Sequence, residues 1–136
     1  MVRPPSADAK ALYDEEVAAV LAGLRERAAI LTETMNSLDG ITMPPIGGAM
    51  YAFPQVELPA RALEAAEAQG VAADEMYCMA ALEATGLVVV PGSGFQQQPG
   101  TFHFRTTFLP QPTAKMERAL SKFATFHAEF MAKHAS

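Results

Sequence analysis

One periodic segment limits what this chain can fold into more than any other feature. Between about Asp8 and Leu38, residues Val17, Leu24, Leu31 and Leu38 recur every seven positions, and Leu21, Ala28 and Met35 form the series between them. On a helix the two series merge into one apolar stripe. Asp8, Asp14, Glu15 and Glu16 come early and Arg25 and Arg27 later, the order that the helix dipole favours, and Gly40 ends the segment. At a rise of about 1.5 Å per residue such a helix is a rod of ~45 Å. A compact chain of this length has a diameter of about 37 Å. The helix therefore overhangs its own domain, and is expected either to dock on a partner or to belong to a larger protein. The alternative is a helix that starts only at Asp14.

The remaining segments are short. Ile41 to Met43 reads as a strand stopped by Pro44-Pro45, Gly47-Gly48 as a turn, and Ala49 to Val56 as a strand that Pro54 places at a sheet edge or bulge. Pro59 to Gln69 reads as a helix closed by Gly70. Asp74 to Thr85 reads as another, with Asp74 as N-cap and Gly86 as its stop. Leu87 to Val90 reads as a short buried strand. Thr101 to Leu109 is the clearest strand: Phe102, Phe104, Thr106 and Phe108 alternate with His103, Arg105, Thr107 and Leu109. A last helix is predicted from Thr113, as N-cap, to about Lys133, with Met116, Leu120, Phe123, His127 and Phe130 on one face. The order predicts an α+β fold, a small mixed or antiparallel sheet covered by helices.

Composition excludes several functions. The 136 residues carry 10 Lys+Arg against 15 Asp+Glu, a net charge of −5, which argues against a nucleic-acid partner. No apolar run approaches the roughly 20 residues that cross a bilayer, so no membrane partner is expected. Met1 to Pro5 lacks the apolar core of a signal peptide, and the one cysteine, Cys78, excludes an intrachain disulfide. An intracellular protein is the expectation.

Arg105 is the residue that most invites a function. It stands mid-strand in apolar surroundings and cannot lose its charge, so it must snorkel, pair with an acid or receive an anion. Its planar fork matches a carboxylate through two parallel hydrogen bonds. If the strand's phenylalanines face the core, Arg105 faces the other way with His103 and Thr107. The alternative is a solvent-facing strand arginine. Pro91-Gly92-Ser93-Gly94-Phe95 is neither a dinucleotide fingerprint nor a P-loop, and reads as a structural turn. His103, His127 and His134 have no metal-ligand spacing, and no metal is expected. Cys78 reads as a small buried apolar residue. Lys10, Lys115, Lys122 and Lys133 fall on helix surfaces or ends, and none has the setting of an imine-forming nucleophile. No catalytic or cofactor-binding residue is assigned.

Four blocks occur in order: Gly47 to Pro54; Tyr77-Cys78 with Leu82 to Gly86; Val89 to Phe95; and Gly100 to Pro110. Together they resemble the C-terminal part of class I pyridoxal-phosphate aminotransferases, and within that class the alanine aminotransferases. The likeness runs from Arg3-Pro4-Pro5 to the last helix. It implies the C-terminal small domain of a fold-type I pyridoxal-phosphate enzyme, spanning residues 1–136, with 8–38 as an interdomain helix and the cofactor-binding large domain outside the chain. It implies a homodimer as the full enzyme, amino-acid and 2-oxo-acid substrates, a cytoplasmic or mitochondrial setting, and self-association of the isolated chain through its first helix. The lysine that binds pyridoxal 5'-phosphate covalently would lie in the missing domain. Arg105 occupies the position of the family's arginine for the substrate α-carboxylate. One position departs from the pattern: where relatives carry glycine after the phenylalanine of the Pro-Gly-Ser-Gly-Phe block, this chain has Gln96. Two other readings stay open, a non-catalytic binding or dimerisation module and an aminotransferase with another acceptor such as glyoxylate.

Overall fold

The computed structural model describes residues 6–135, so Arg3-Pro4-Pro5, where the family likeness starts, lie outside the described residues. Helix α1 (Ala7–Asn36) starts at Ser6, whose side chain accepts from the Ala9 amide at 3.2 Å. It runs unbroken through Asp14, so the longer of the two expected helices forms. Its two halves differ. Leu31 and Met35 are buried, whereas Leu12, Tyr13, Val17, Val20 and Leu21 are all exposed. The same stripe thus packs on the domain at its C-terminal end and faces solvent at its N-terminal end.

Arg27 corrects the reading of this helix. Its place late in the segment suits the dipole, but α1 carries no basic residue in its last turn, and Arg27 is only 4% exposed. Its Nε donates to the Phe108 carbonyl at 2.9 Å, tying α1 to the residues that follow the central strand.

The sheet is built around β5 (Phe102–Thr107), and every pair in it is antiparallel. β2 (Tyr51–Ala52) and β3 (Gln55–Val56) pair with β5 in one continuous register, Tyr51 opposite Thr107 and Val56 opposite Phe102. The single strand expected over 49–56 is thus split at Phe53-Pro54. Pro54 has no N–H to donate across the ladder, but its carbonyl still accepts from the Phe104 amide at 3.1 Å. β1 (Ile41–Thr42) pairs with β3, and β4 (Val90–Pro91) with β5. The strand expected over 87–90 is shifted: Val89 is buried, but Val88 is 70% exposed and the pairing begins at Val90.

Three further helices are α2 (Ala60–Gln69), α3 (Ala73–Thr85) and α4 (Thr113–Lys133). Gly70 closes α2 at φ +70°, a conformation that costs glycine little. The expected side-chain caps are displaced. Ala72 and Pro112 hold the N-cap positions, and Asp74 and Thr113 lie inside their helices. The core is aromatic. Tyr77 of α3 meets Phe130 of α4 edge-on at 5.0 Å, and Phe104 of β5 lies 5.5 Å from Phe123 of α4. All four are buried. Each such side chain withdrawn from water contributes about 1.5–3 kcal/mol.

Candidate functional site

The alternation of β5 divides its side chains as the sequence predicts. Phe104, Thr106 and Phe108 are buried and Phe102 packs half-buried against the same core, while His103, Arg105 and Thr107 are half-buried on the other face. Arg105 is held there by rings. Its Cζ stands 4.4 Å from the Tyr51 ring centroid and 4.8 Å from that of Phe95. Such contacts attract a cation through the ring faces and leave the guanidinium edges, where the N–H donors lie, for in-plane partners. Among the described residues Arg105 has no carboxylate within salt-bridge distance; the only ion pair found there is Lys10–Asp14 on α1. Among the described residues Arg105 is thus a half-buried cation without an acidic partner.

The rings around it form a small exposed cluster. Phe53 stacks on His103 at 4.9 Å with planes 5° apart, and meets Phe95 edge-on at 5.9 Å. Phe95 ends a short 3₁₀ turn, Gly92–Phe95. The loop is thus a turn, as expected, and Gln96 after it adopts φ +55°, ψ +45°. The position where the family pattern has glycine does require the left-handed conformation that glycine tolerates best.

Two residues of this site escaped sequence reading. Asp74, read as a helix cap, is 2% exposed, and its Oδ2 accepts from the Ser93 amide at 2.7 Å and from Gln97 Nε2 at 2.9 Å. The amide oxygen of Gln97 accepts from the His103 backbone N–H at 2.8 Å and from His103 Nδ1 at 3.1 Å. Only the space at Gly92 admits that amide: a Cβ there would stand 2.2 Å from Gln97 Oε1. Contacts between residues 6 and 23 positions apart have no local signature.

The other candidates lie apart from Arg105. Cys78 is buried, and burial, followed by the Asp74 charge, pushes its thiol up to about 12, consistent with a packing residue. His127 is buried between Tyr77 and the Asp39 carbonyl. A carbonyl only accepts, so Nε2 carries the proton and donates to it at 2.7 Å, and Nδ1 accepts from the Tyr77 hydroxyl at 2.8 Å. Burial lowers the His127 pKa below its ordinary value and raises that of Tyr77. No cluster of histidine, cysteine and acidic groups among the described residues has the form of a metal site. A groove of about 610 Å³, lined by Leu21, Leu24, Ala28, Ile46 and Phe108 among others, lies along α1 and not at Arg105.

A pyridoxal-phosphate enzyme needs a sheltered lysine for the cofactor. All four lysines of this chain sit on exposed helix positions, Lys10 already paired with Asp14. These residues do not fit a covalent cofactor site, and no step through the cofactor follows from them. No helix among the described residues is long and apolar enough to cross a membrane.

No protein-family model matches the chain. Individual proteins do. A probable mitochondrial alanine aminotransferase of Dictyostelium discoideum is 51% identical over 136 residues, covering 98% of this chain and 25% of that protein. Alanine aminotransferase 1 of Homo sapiens is 44% identical over 131 residues, covering 96% of this chain and 26% of that protein. Among solved structures, an alanine aminotransferase from Pyrococcus furiosus superposes with a TM-score of 0.68 at 27% identity, over 85% of this chain and 26% of that one. The chain thus spans about a quarter of the length of the relatives it matches. With identity of this order along almost all of its residues, the chain belongs to the alanine aminotransferase family, as a stretch equivalent to about a quarter of a full-length member.

Proposed function

We propose that residues 1–136 form the C-terminal small domain of an intracellular alanine aminotransferase, cytoplasmic or mitochondrial, and that Arg105 binds the α-carboxylate of its substrates. The full enzyme moves the amino group from L-alanine to 2-oxoglutarate, giving pyruvate and glutamate, and works as a homodimer. The observation that carries the reading is Arg105 itself: a half-buried guanidinium, supported by Tyr51 and Phe95, with no acidic partner among the described residues. A substrate carboxylate supplies the missing partner. Two parallel hydrogen bonds fix its plane as well as its position, and so orient the bonds at the neighbouring carbon.

Pyridoxal phosphate, bound outside this chain, supplies the electron sink. Closure of the small domain carries Arg105 inward and excludes water, which strengthens the ion pair. The exposed half of α1 lies on the cofactor domain in this arrangement, and the isolated chain neither binds the cofactor specifically nor catalyses transfer.

The test is amino transfer by the full-length protein, with pyruvate followed by a coupled reductase. L-alanine and 2-oxoglutarate should react, and the isolated chain should not. If only glyoxylate accepts the amino group, the acceptor assignment falls. If alanine donates to no 2-oxo acid, or the isolated chain is active, the reading falls.

A further inference from the structure

We infer that Gln97 is a positioning residue for Arg105, acting through the turn that carries Phe95. Phe95 is one of the two rings over which the guanidinium lies, and it comes from a four-residue turn rather than from the sheet. Tyr51, the other, is fixed by pairing with β5. The orientation of Arg105 therefore depends on what holds the turn.

Two attachments do so, and both pass through buried Asp74. Its Oδ2 receives the Ser93 amide from within the turn and the Gln97 side-chain amide from beyond it. The left-handed Gln96 reverses the chain so that Gln97 returns beneath the turn against Gly92. From there its oxygen takes both the backbone N–H and Nδ1 of His103. His103 stacks on Phe53, and Phe53 braces Phe95 from the side. The contacts close a circuit from Asp74 through Gln97, His103, Phe53 and Phe95 back to the turn. A primary amide suits the junction because it donates to a carboxylate at one end and accepts from two N–H groups at the other. Neither glutamate nor a hydrocarbon side chain does both.

The kinetic arm of the test rests on the carboxylate-binding reading of Arg105; the labelling arm does not. Gln97→Ala removes the junction. Gly92→Ala puts a Cβ 2.2 Å from Gln97 Oε1 and 2.9 Å from the His103 Cβ, so it breaks the Gln97–His103 link from the turn side while leaving both residues in the sequence, and Gly94→Ala is the control, since a Cβ there meets nothing within 4 Å. In the full-length enzyme, Gln97→Ala and Gly92→Ala should lower kcat/KM for alanine about tenfold, since a loosened guanidinium both binds and orients the carboxylate less well. Phenylglyoxal labelling, mapped by peptide mass spectrometry, should be several-fold faster at Arg105 and unchanged at buried Arg27. Gly94→Ala should match the parent in both assays. Unchanged labelling of Arg105 in Gln97→Ala and Gly92→Ala overturns the inference, as does faster labelling of Arg105 and Arg27 alike, which marks general loosening. Faster labelling of Arg105 alone with kcat/KM unmoved upholds the positioning role and instead rejects the carboxylate-binding reading.

Discussion

Replacing His127 by leucine should destabilise the chain by about 2–4 kcal/mol, and Tyr77→Phe should then cost almost nothing more. The imidazole joins α4 to α3 through the Tyr77 hydroxyl and to the loop after α1 through the Asp39 carbonyl. Tyr77 is fully buried, so its hydroxyl has no water to turn to when His127 is lost. An unsatisfied buried polar group costs about 1–3 kcal/mol, and a lost ordinary hydrogen bond about 1 kcal/mol. Tyr77→Phe alone should cost about 1 kcal/mol, and the pair should couple by a similar amount. Urea unfolding of the two single variants and the double variant measures this. The pH dependence is a second readout. Because burial holds the folded-state pKa of His127 below the unfolded value of about 6.5, the unfolded chain takes up the proton first. Stability from the neutral histidine is complete above that unfolded value and is lost as pH falls below it. The leucine variant should lack this component. Strictly additive costs, or identical acid sensitivity in the parent and His127→Leu, would refute the paired, neutral histidine.

Two further outcomes follow from the local geometry. Gln96→Gly should stabilise the chain by about 0.5–1 kcal/mol, because the left-handed backbone strains glutamine and not glycine; thermal unfolding showing a loss would mean the Gln96 side chain contributes contacts of its own. The isolated chain should self-associate through the bare stripe of α1, and Val17→Glu with Val20→Glu should return it to monomer in sedimentation velocity; a parent that is already monomeric contradicts this.

What the sequence discloses here follows the range of the interactions. Helix α1 and strand β5 were legible because each repeats a period over many residues, and the buried set Phe104, Thr106 and Phe108 is the one that alternation selects. The break at Phe53-Pro54 was half legible: proline announces a missing donor, but only the register with β5 shows the strand resuming beyond it. Asp74 was misread because an acid at a helix start usually caps that helix, whereas this one serves a turn 19 residues on. Arg27 looks like any late helical arginine until its partner carbonyl 81 residues away is known. Arg105 stood out because a charge inside an apolar strand needs an explanation, while the rings that support it come from two other segments.

Steady-state kinetics of Arg105→Ala in the full-length enzyme shows whether Arg105 receives the substrate carboxylate. A charge-assisted hydrogen bond contributes about 1.5–3 kcal/mol, so kcat/KM for alanine should fall at least ~10- to 100-fold, given about 1.4 kcal/mol per decade. Arg105→Lys restores the charge without the planar fork and should recover only part of the loss. An amine donor that lacks a carboxylate should react equally well with the parent and the Arg105→Ala enzyme. If Arg105→Ala slows both donors to the same degree, the arginine supports the fold and does not grip the substrate.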